Sequence, residues 1–375
     1  MCKIKITNYI LRLIKGVISF FKIVKGILVY RISCILHQQN KLILYYALSD
    51  NRFGNIEALE KYFECKGIDF IRLYHKDMIK STVRFWNTLA SARVLVIDSK
   101  SPASRVSLCK NTVLIHCWHA GGAYKKIGFD VKIKVKDRYK EEARIKRVHR
   151  NISYFVCSSE LTAQVYARAF RLRNDQMLVL GLPRLDEVLT KASKGTPSKY
   201  TILYAPTYRT SNNGERVMPN TSDLEFAGRV LKEKFGNEIC LAFRGHPTSP
   251  SFNVRGWDDW THRSLNDALM DTSVLITDYS SVFFDFIPYE RPIVFYVPDL
   301  EKYCSEYQGV YFSPYEYFNE TTCGDVKTLI LILSQYQNKK LDYTMFWNEQ
   351  MSACDGYSTE RLGSFIIDLM KKGTI

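Results

Sequence analysis

The sequence predicts an α/β protein built on two parallel sheets, and three observations carry that reading. Short apolar runs alternate with helical patterns along most of the chain. A polar segment containing Gly and Pro interrupts that alternation near the middle. The polar clusters stand where apolar runs end. Strands that alternate with helices imply parallel pairing through right-handed crossovers, and ligands of such sheets gather beyond the carboxyl ends of the strands. At 375 residues the chain has room for two domains. Its 46% hydrophobic and 24% charged residues set it apart from disordered and low-complexity chains.

In the first half, strands are expected over 41–47 (KLILYYA), 68–74, 93–98 (RVLVID), 111–117, 153–158 and 176–180, and helices over 55–65, 78–92, 137–150 and 160–170. Each strand is a short continuous apolar run, as in a sheet covered on both faces. The segment 191–199 (KASKGTPSK) reads as an interdomain linker. Beyond it strands are expected over 201–205, 238–243, 274–277 and 293–296, and helices over 224–235, 265–270 and 281–288. No internal repeat is present. The expected domains are residues 1–40 as a basic amphipathic membrane-association helix, then 41–190 and 200–375 as two α/β domains whose sheets face a cleft.

Lys and Arg number 53 against 38 Asp and Glu, a formal charge of +15 that implies an anionic partner. The excess has two addresses. Residues 1–40 carry Lys3, Lys5, Arg12, Lys15, Lys22, Lys25 and Arg31 with no acidic residue, and residues 125–150 carry eleven basic against four acidic residues. From Ile4 to Ile32 apolar residues recur at helical spacing, with Ile10, Leu13, Ile14, Val17, Ile18, Phe21, Val24 and Leu28 on one side. Lys5, Arg12, Lys15, Ser19, Lys22 and Gly26 fall on the other. No uncharged run there approaches the roughly 20 residues that span a bilayer, and lysines interrupt any secretory core. An interfacial helix on an anionic membrane surface fits this pattern; a helix packed on the globular body is the plainer reading. The second basic stretch, 136–150, suits either a membrane or polymer contact or a solvated face.

Ten cysteines, at 2, 34, 65, 109, 117, 157, 240, 304, 323 and 354, show neither a Cys-x-x-Cys pair nor a metal-ligand spacing. They read as small buried hydrophobes of a reducing compartment. Together with the leader this places the protein, as an expectation, peripherally on the cytoplasmic face of the cell membrane.

Four polar clusters stand at strand ends. The first, 116–130, follows the strand 111–117: Gly121, Gly122 and Gly128 would let backbone approach a ligand, His119 suits a general base, and Lys125 and Lys126 suit a phosphate. Alone, His119 is equally at home as a hydrogen-bonded loop histidine; Gly-Gly and Lys-Lys beside it turn the reading toward function. In the second cluster, Thr207 and Arg209 offer a hydroxyl and a guanidinium fork for phosphate oxygens. In the third, Arg244 and His246 close a strand, with His246 placed to offset charge on a leaving phosphate. In the fourth, the strand ends at Asp278 and a helix starts near Ser280 and Ser281, an anion site at a helix N-terminus. An N-cap is the plainer account of one of these serines. Asp285 faces a ribose or solvates the helix.

The stretches WHAGGAYKKIGFD (118–130), GLPRLD (181–186), LYAPTYR (203–209), RGHP (244–247), LITDYSSVFFDF (275–286) and RPIVFYVPDLEKY (291–303) together resemble the CDP-glycerol glycerophosphotransferase family of teichoic-acid and capsule enzymes. The resemblance covers about residues 41–370. It implies a GT-B fold of two Rossmann-like domains, the acceptor on 41–190 and the CDP-alditol on 200–375. It places the acceptor base on His119, the second catalytic histidine on His246, and the donor phosphates on Thr207, Arg209, Ser280 and Ser281; the strand-end clusters add Arg244, Asp278 and Asp285 to donor binding. Gly121, Gly122, Lys125 and Lys126 fall to acceptor or phosphate binding. The sequence departs from the family pattern at Ala120, where a glycine is usual, a difference that bears on acceptor preference.

The implied reaction moves glycerol phosphate or ribitol phosphate from CDP-glycerol or CDP-ribitol to a hydroxyl of a lipid-linked glycan or teichoic-acid or capsule polymer, releasing CMP. Such transfer depends mainly on positioning and electrostatics. No metal-ligand constellation is legible, so no tightly bound cofactor is expected, with Mg2+ reserved for the donor diphosphate. Two other classes compete. A GT-B glycosyltransferase using a nucleotide sugar would share the fold, and a basic nucleic-acid-binding protein would share the charge. The sequence shows no aromatic-interleaved RNA motif, zinc finger or helix-turn-helix, so no nucleic-acid partner is expected.

Overall fold

A computed structural model describes residues 17, 21–47, 54–99, 101–131, 135–192, 197–210, 216–245, 252–337 and 339–372. Among them the chain forms two compact units, one of Met1–His119, Lys140–Val156 and Thr359–Ile375, the other of Ala120–Tyr139 and Cys157–Ser358.

The apolar runs of the first half form strands β1 (Lys41–Tyr46), β2 (Ile71–Tyr74), β3 (Ala92–Ile97), β4 (Val113–His116), β5 (Tyr154–Cys157) and β6 (Met177–Val179). The sheet order is β2-β1-β3-β4-β5-β6, and β1 to β5 pair in parallel. Every residue of β1 after Lys41 is buried, as expected of a strand covered on both faces. The register sets Tyr45 beside Ile97, Ile97 beside His116 and His116 beside Phe155, so β1, β3, β4 and β5 end at one level. Helix Asn55–Cys65 follows the sequence expectation residue for residue. The expected helix 78–92 is instead two, His75–Lys80 and Val83–Ala90. Ser81 takes a left-handed φ of 54° between them and Thr82 caps the second, its hydroxyl accepting from Phe85 N at 3.2 Å.

In the second unit the strands are β7 (Tyr200–Tyr204), β8 (Arg209–Thr210), β9 (Arg216–Val217), β10 (Ile239–Phe243), β11 (Asp258–Asp259), β12 (Val274–Thr277), β13 (Ile293–Tyr296) and β14 (Thr322–Cys323). Six form a parallel sheet in the order β11-β10-β7-β12-β13-β14, while β8 and β9 pair as an antiparallel ribbon. Side chains alternate between two cores, as the period of a strand requires. Leu203, Leu275 and Phe295 pack with Phe283 and Phe284, whereas Ile202, Ile276 and Val294 pack with Leu224, Leu231 and Leu329.

The division of the chain differs from the expected 41–190 and 200–375 boundaries. Residues 157–190 lie in the second unit, the C-terminal helix Ser358–Lys371 lies almost wholly in the first, and 120–139 belongs to the second. The polar stretch at 191–199 marks the start of a new sheet rather than of a new unit; helix Arg184–Ala192 runs into it, and 193–196 lie outside the described residues. Ser158 Oγ donates to Gln350 O at 2.7 Å, one of the bonds that hold this segment in the second unit. Tyr154 meets Phe365 edge to face, which ties the C-terminal helix to the first.

Residues 21–36 are helical; of the expected N-terminal helix, residues 1–16 and 18–20 lie outside the described residues. Tyr30 and Ser33 are buried against the first unit, Ser33 Oγ donating to Asn87 Oδ1 at 2.6 Å. A Cβ on Gly26 would fall 2.4 Å from Trp86 Nε1, so only glycine permits this approach. Cys34 and Cys109 form a disulfide between the helix and the sheet body, which corrects the expectation that all the cysteines are free thiols. Phe21, Leu28, Ile35 and Leu36 are exposed, with Val24 and Ile32 beside them. No helix among the described residues is long and apolar enough to cross a membrane.

Candidate functional site

In the second unit the ends of β7, β12 and β13 bring Arg209, Asp278 and Asp299 together. Arg209 Nη1 donates to Asp278 Oδ2 at 2.6 Å, and Arg209 Nε and Nη2 donate to Asp299 at 2.9 and 3.0 Å. Its guanidinium lies over the ring of Tyr279, which stacks on Tyr303 with centroids 3.6 Å apart. Burial works against the charge of Arg209, but the two carboxylates outweigh it and raise its pKa above the ordinary value. Asp278 is itself saturated, accepting from the backbone N–H groups of Thr207 at 2.8 Å and Tyr279 at 2.5 Å as well. Thr207, Arg209 and Asp278 were expected to bind the donor, the first two at its phosphates. In this structure the nitrogens of the Arg209 fork point at carboxylates and at Thr207 O, and Arg209 and Asp278 line the cavity described below.

Arg244 and Asp285, also expected at the donor, have partners within the unit. Arg244 Nη1 donates to the carbonyls of Trp260, Thr261 and Arg263 and fastens that loop. Asp285 is 4% exposed and pairs with Arg184 at 2.5 Å, so it neither faces a ribose nor solvates its helix. Arg184, from the GLPRLD stretch, explains why an acid occurs among the phenylalanines of 282–286. Ser280 and Ser281 stand, partly exposed, at the start of helix Val282–Phe286, with Ser280 Oγ accepting from Val282 N at 3.4 Å. His246 lies outside the described residues.

The loop after β4 divides between the units. Gly121 and Gly122 press on Phe284, where a Cβ would fall 2.3 and 2.6 Å from the ring's own atoms or its Cβ. Both glycines serve close packing here. Next to them Lys125 forms a β-bridge with Val310, and Lys126 N donates to Gly309 O at 3.0 Å, so the two lysines are woven into the second unit. Burial lowers the Lys125 pKa, with Asp278 opposing and Arg209 adding to that effect. Lys125 therefore sits within electrostatic reach of the Arg209–Asp278 pair.

A cavity of about 320 Å³ opens beside this cluster, lined by Tyr204, Arg209, Asp223, Asp278, Tyr296 and Asp299 among others. Tyr296 Oη donates to Asp223. Asp299, Tyr279 and Tyr303 were missed as site residues, though Asp299 and Tyr303 lie in the RPIVFYVPDLEKY stretch.

In the first unit His119 is exposed, at the end of a turn that follows β4. Trp118 before it takes a left-handed φ of 53°, and the Trp118 and His119 rings lie 4.4 Å apart. His116, two residues earlier, is buried and stacked on Phe155 at 5.1 Å. Burial first, then the nearby His149 and His119, push its pKa down to about 3. Glu57 and Asp98 converge on Gly54 in the same unit: a Cβ there would lie 2.7 and 3.4 Å from their carboxylate oxygens.

The model of the family CDP-glycerol:poly(glycerophosphate) glycerophosphotransferase matches residues 28–368. The chain belongs to that family. It is 29% identical to a teichoic acid ribitol-phosphate primase of Bacillus spizizenii over 98% of this chain and 99% of that one. To a teichoic acid glycerol-phosphate primase of Bacillus subtilis it is 28% identical over 70% of this chain and 69% of the other. The solved structure of the wall teichoic acid polymerase TagF superposes with a TM-score of 0.74 at 18% identity over 99% of both chains. This member of the family thus has a TagF-like, GT-B-like fold with two parallel sheets.

Proposed function

We propose that this protein moves an alditol phosphate from a CDP-alditol to a hydroxyl of a lipid-linked teichoic-acid or capsule acceptor, with CMP leaving. The observation that carries the reading is the family match across residues 28–368, which takes in every polar cluster at a strand end. In the reaction the acceptor oxygen bonds to the alditol-bearing phosphorus as the bond from that phosphorus to the CMP oxygen breaks. His119, exposed on its braced turn, takes the acceptor proton. His246 remains the proposed partner at the donor diphosphate. A GT-B division of labour between an acceptor-binding unit and a donor-binding unit belongs to the same proposal, as does Mg2+ on the diphosphate.

Charge suggests how the donor is shared out in the second unit. The cavity beside Arg209 presents Asp223, Asp278 and Asp299 against a single guanidinium. Such a lining favours the neutral, hydrogen-bonding part of the donor over its diphosphate. Lys125, Ser280 and Ser281 are then the groups left to meet phosphate oxygens. Between donors we favour CDP-ribitol, because the relative matched along its whole length is a ribitol-phosphate primase. Peripheral association with an anionic membrane surface is supported by the exposed apolar residues of helix 21–36 and the exposed basic residues among them.

The test is a donor screen on the full chain with a lipid-linked acceptor. Acceptor-dependent CMP release from CDP-ribitol or CDP-glycerol is expected; release of UDP from UDP-sugars with no CMP from either alditol would replace the reading with a glycosyltransferase.

A further inference from the structure

The turn that carries His119 is held in a conformation its sequence does not favour. A tryptophan at a left-handed φ of 53° crowds its Cβ against its own backbone, and such residues persist only where the surroundings over-determine them. Two buried side chains do so here. Asn55, 1% exposed at the first position of helix Asn55–Cys65, sends Nδ2 to Trp118 O at 2.7 Å and to Cys117 O at 3.2 Å. His116 accepts the Trp118 N–H on Nδ1 at 3.0 Å. Both carbonyls and the amide of the turn are thereby fixed, with Cys117 N donating to Ile97 O at 2.7 Å from the other side.

The chemistry of each partner suits this one task. An amide nitrogen has two N–H groups and can serve two carbonyls at once, which neither a carboxylate nor an aliphatic group of the same size can do. An imidazole that accepts on Nδ1 must be unprotonated there, and burial keeps His116 neutral, with its pKa at about 3. The stack on Phe155 holds the plane of the ring that accepts this bond.

We propose that Asn55 and His116 are positioning residues, a clamp that holds Trp118 left-handed and so fixes the direction in which His119 presents its imidazole. The inference rests on the reading of His119 as the base, and it adds two residues that act through it without touching substrate. Displacing a base by about 1 Å can cost a hundredfold in rate.

The experiment is steady-state kinetics of the full chain with CDP-alditol and acceptor, alongside thermal melts. Asn55→Asp, equal in shape but turning acceptors toward two carbonyls, should lower kcat about tenfold to a hundredfold with donor KM within about twofold of wild type. His116→Phe keeps the stack and loses the acceptor, so it should behave likewise. His116→Asn keeps an acceptor near Nδ1 and should recover part of the loss. In a His119→Ala background Asn55→Asp should cost nothing more. An additional loss there, or unchanged kcat in a folded His116→Phe, would overturn the clamp while leaving the base in place. Full activity in His119→Ala alone would instead sink the base reading and the clamp with it. If Asn55→Asp fails to fold, the two His116 variants decide the question.

Discussion

Gly121 and Gly122 show how a residue suited to ligand binding can be used for packing instead. Each lies so close to Phe284 that an added methyl would overlap it. Gly121→Ala should therefore destabilise the second unit by about 1–3 kcal/mol through overpacking, read as a lower urea midpoint at unchanged slope; an unaltered midpoint would show that Phe284 yields. Arg209 leads to a sharper expectation. It is 7% exposed between Asp278 and Asp299, and Arg209→Leu would leave Asp278, 1% exposed, without its cation. Loss of roughly 3–5 kcal/mol follows if the pair is structural; a melt within about 1 kcal/mol of wild type would return Arg209 to the ligand-binding side. The sequence shows that these residues stand at strand ends, because apolar runs stop there. It cannot show that a carboxylate 90 residues away fills the guanidinium fork, since that pairing is a product of the sheet order.

Helix 21–36 presents two unlike faces, and which one meets the protein was settled by its partner. Gly26, Tyr30 and Ser33 fit around Trp86 and Asn87, which leaves Phe21, Leu28 and Ile35 outward. The apolar spacing was legible, including Phe21, Val24 and Leu28 on one side, whereas the docking face depends on small residues whose meaning appears only beside a tryptophan. The Cys34–Cys109 disulfide was not legible either, because the two residues are 75 apart and no spacing rule joins them. If the outward stripe meets lipid, Leu28→Glu with Ile32→Glu should cut cosedimentation with anionic vesicles at least about tenfold, since charge at a buried apolar face is costly there. The melting temperature should hardly change, because both positions are exposed or nearly so. Undiminished sedimentation would assign the stripe to something other than membrane.

For the molecule as a whole, the two sheets were readable from alternation, and the strands β12 and β13 from their apolar runs alone. The units were not, because residues 120–139 fall to the second unit and 359–371 to the first by tertiary packing that no local pattern encodes. One half-buried acid, Glu57, gives the fold a pH dependence. Burial first, then Asp98 and Glu60, push Glu57 up to about 7 from its ordinary 4.5, against hydrogen bonds from its own and the Gly54 backbone. Between those values the folded state holds a proton that the unfolded chain has released, so stability falls as pH rises through that window. Glu57→Gln removes the effect: its melting temperature should gain on wild type from pH 5 to pH 8, whereas a constant difference would contradict the assignment.

The most direct measurement of the central claim is the mass of the acceptor after incubation with CDP-alditol, comparing wild type with His119→Ala. The account predicts that the acceptor gains one or more alditol phosphates with the wild-type chain, and that the initial rate of this gain falls about a hundredfold or more in the variant. An acceptor that gains no alditol phosphate with either donor, or gains it equally fast without the imidazole, would contradict it.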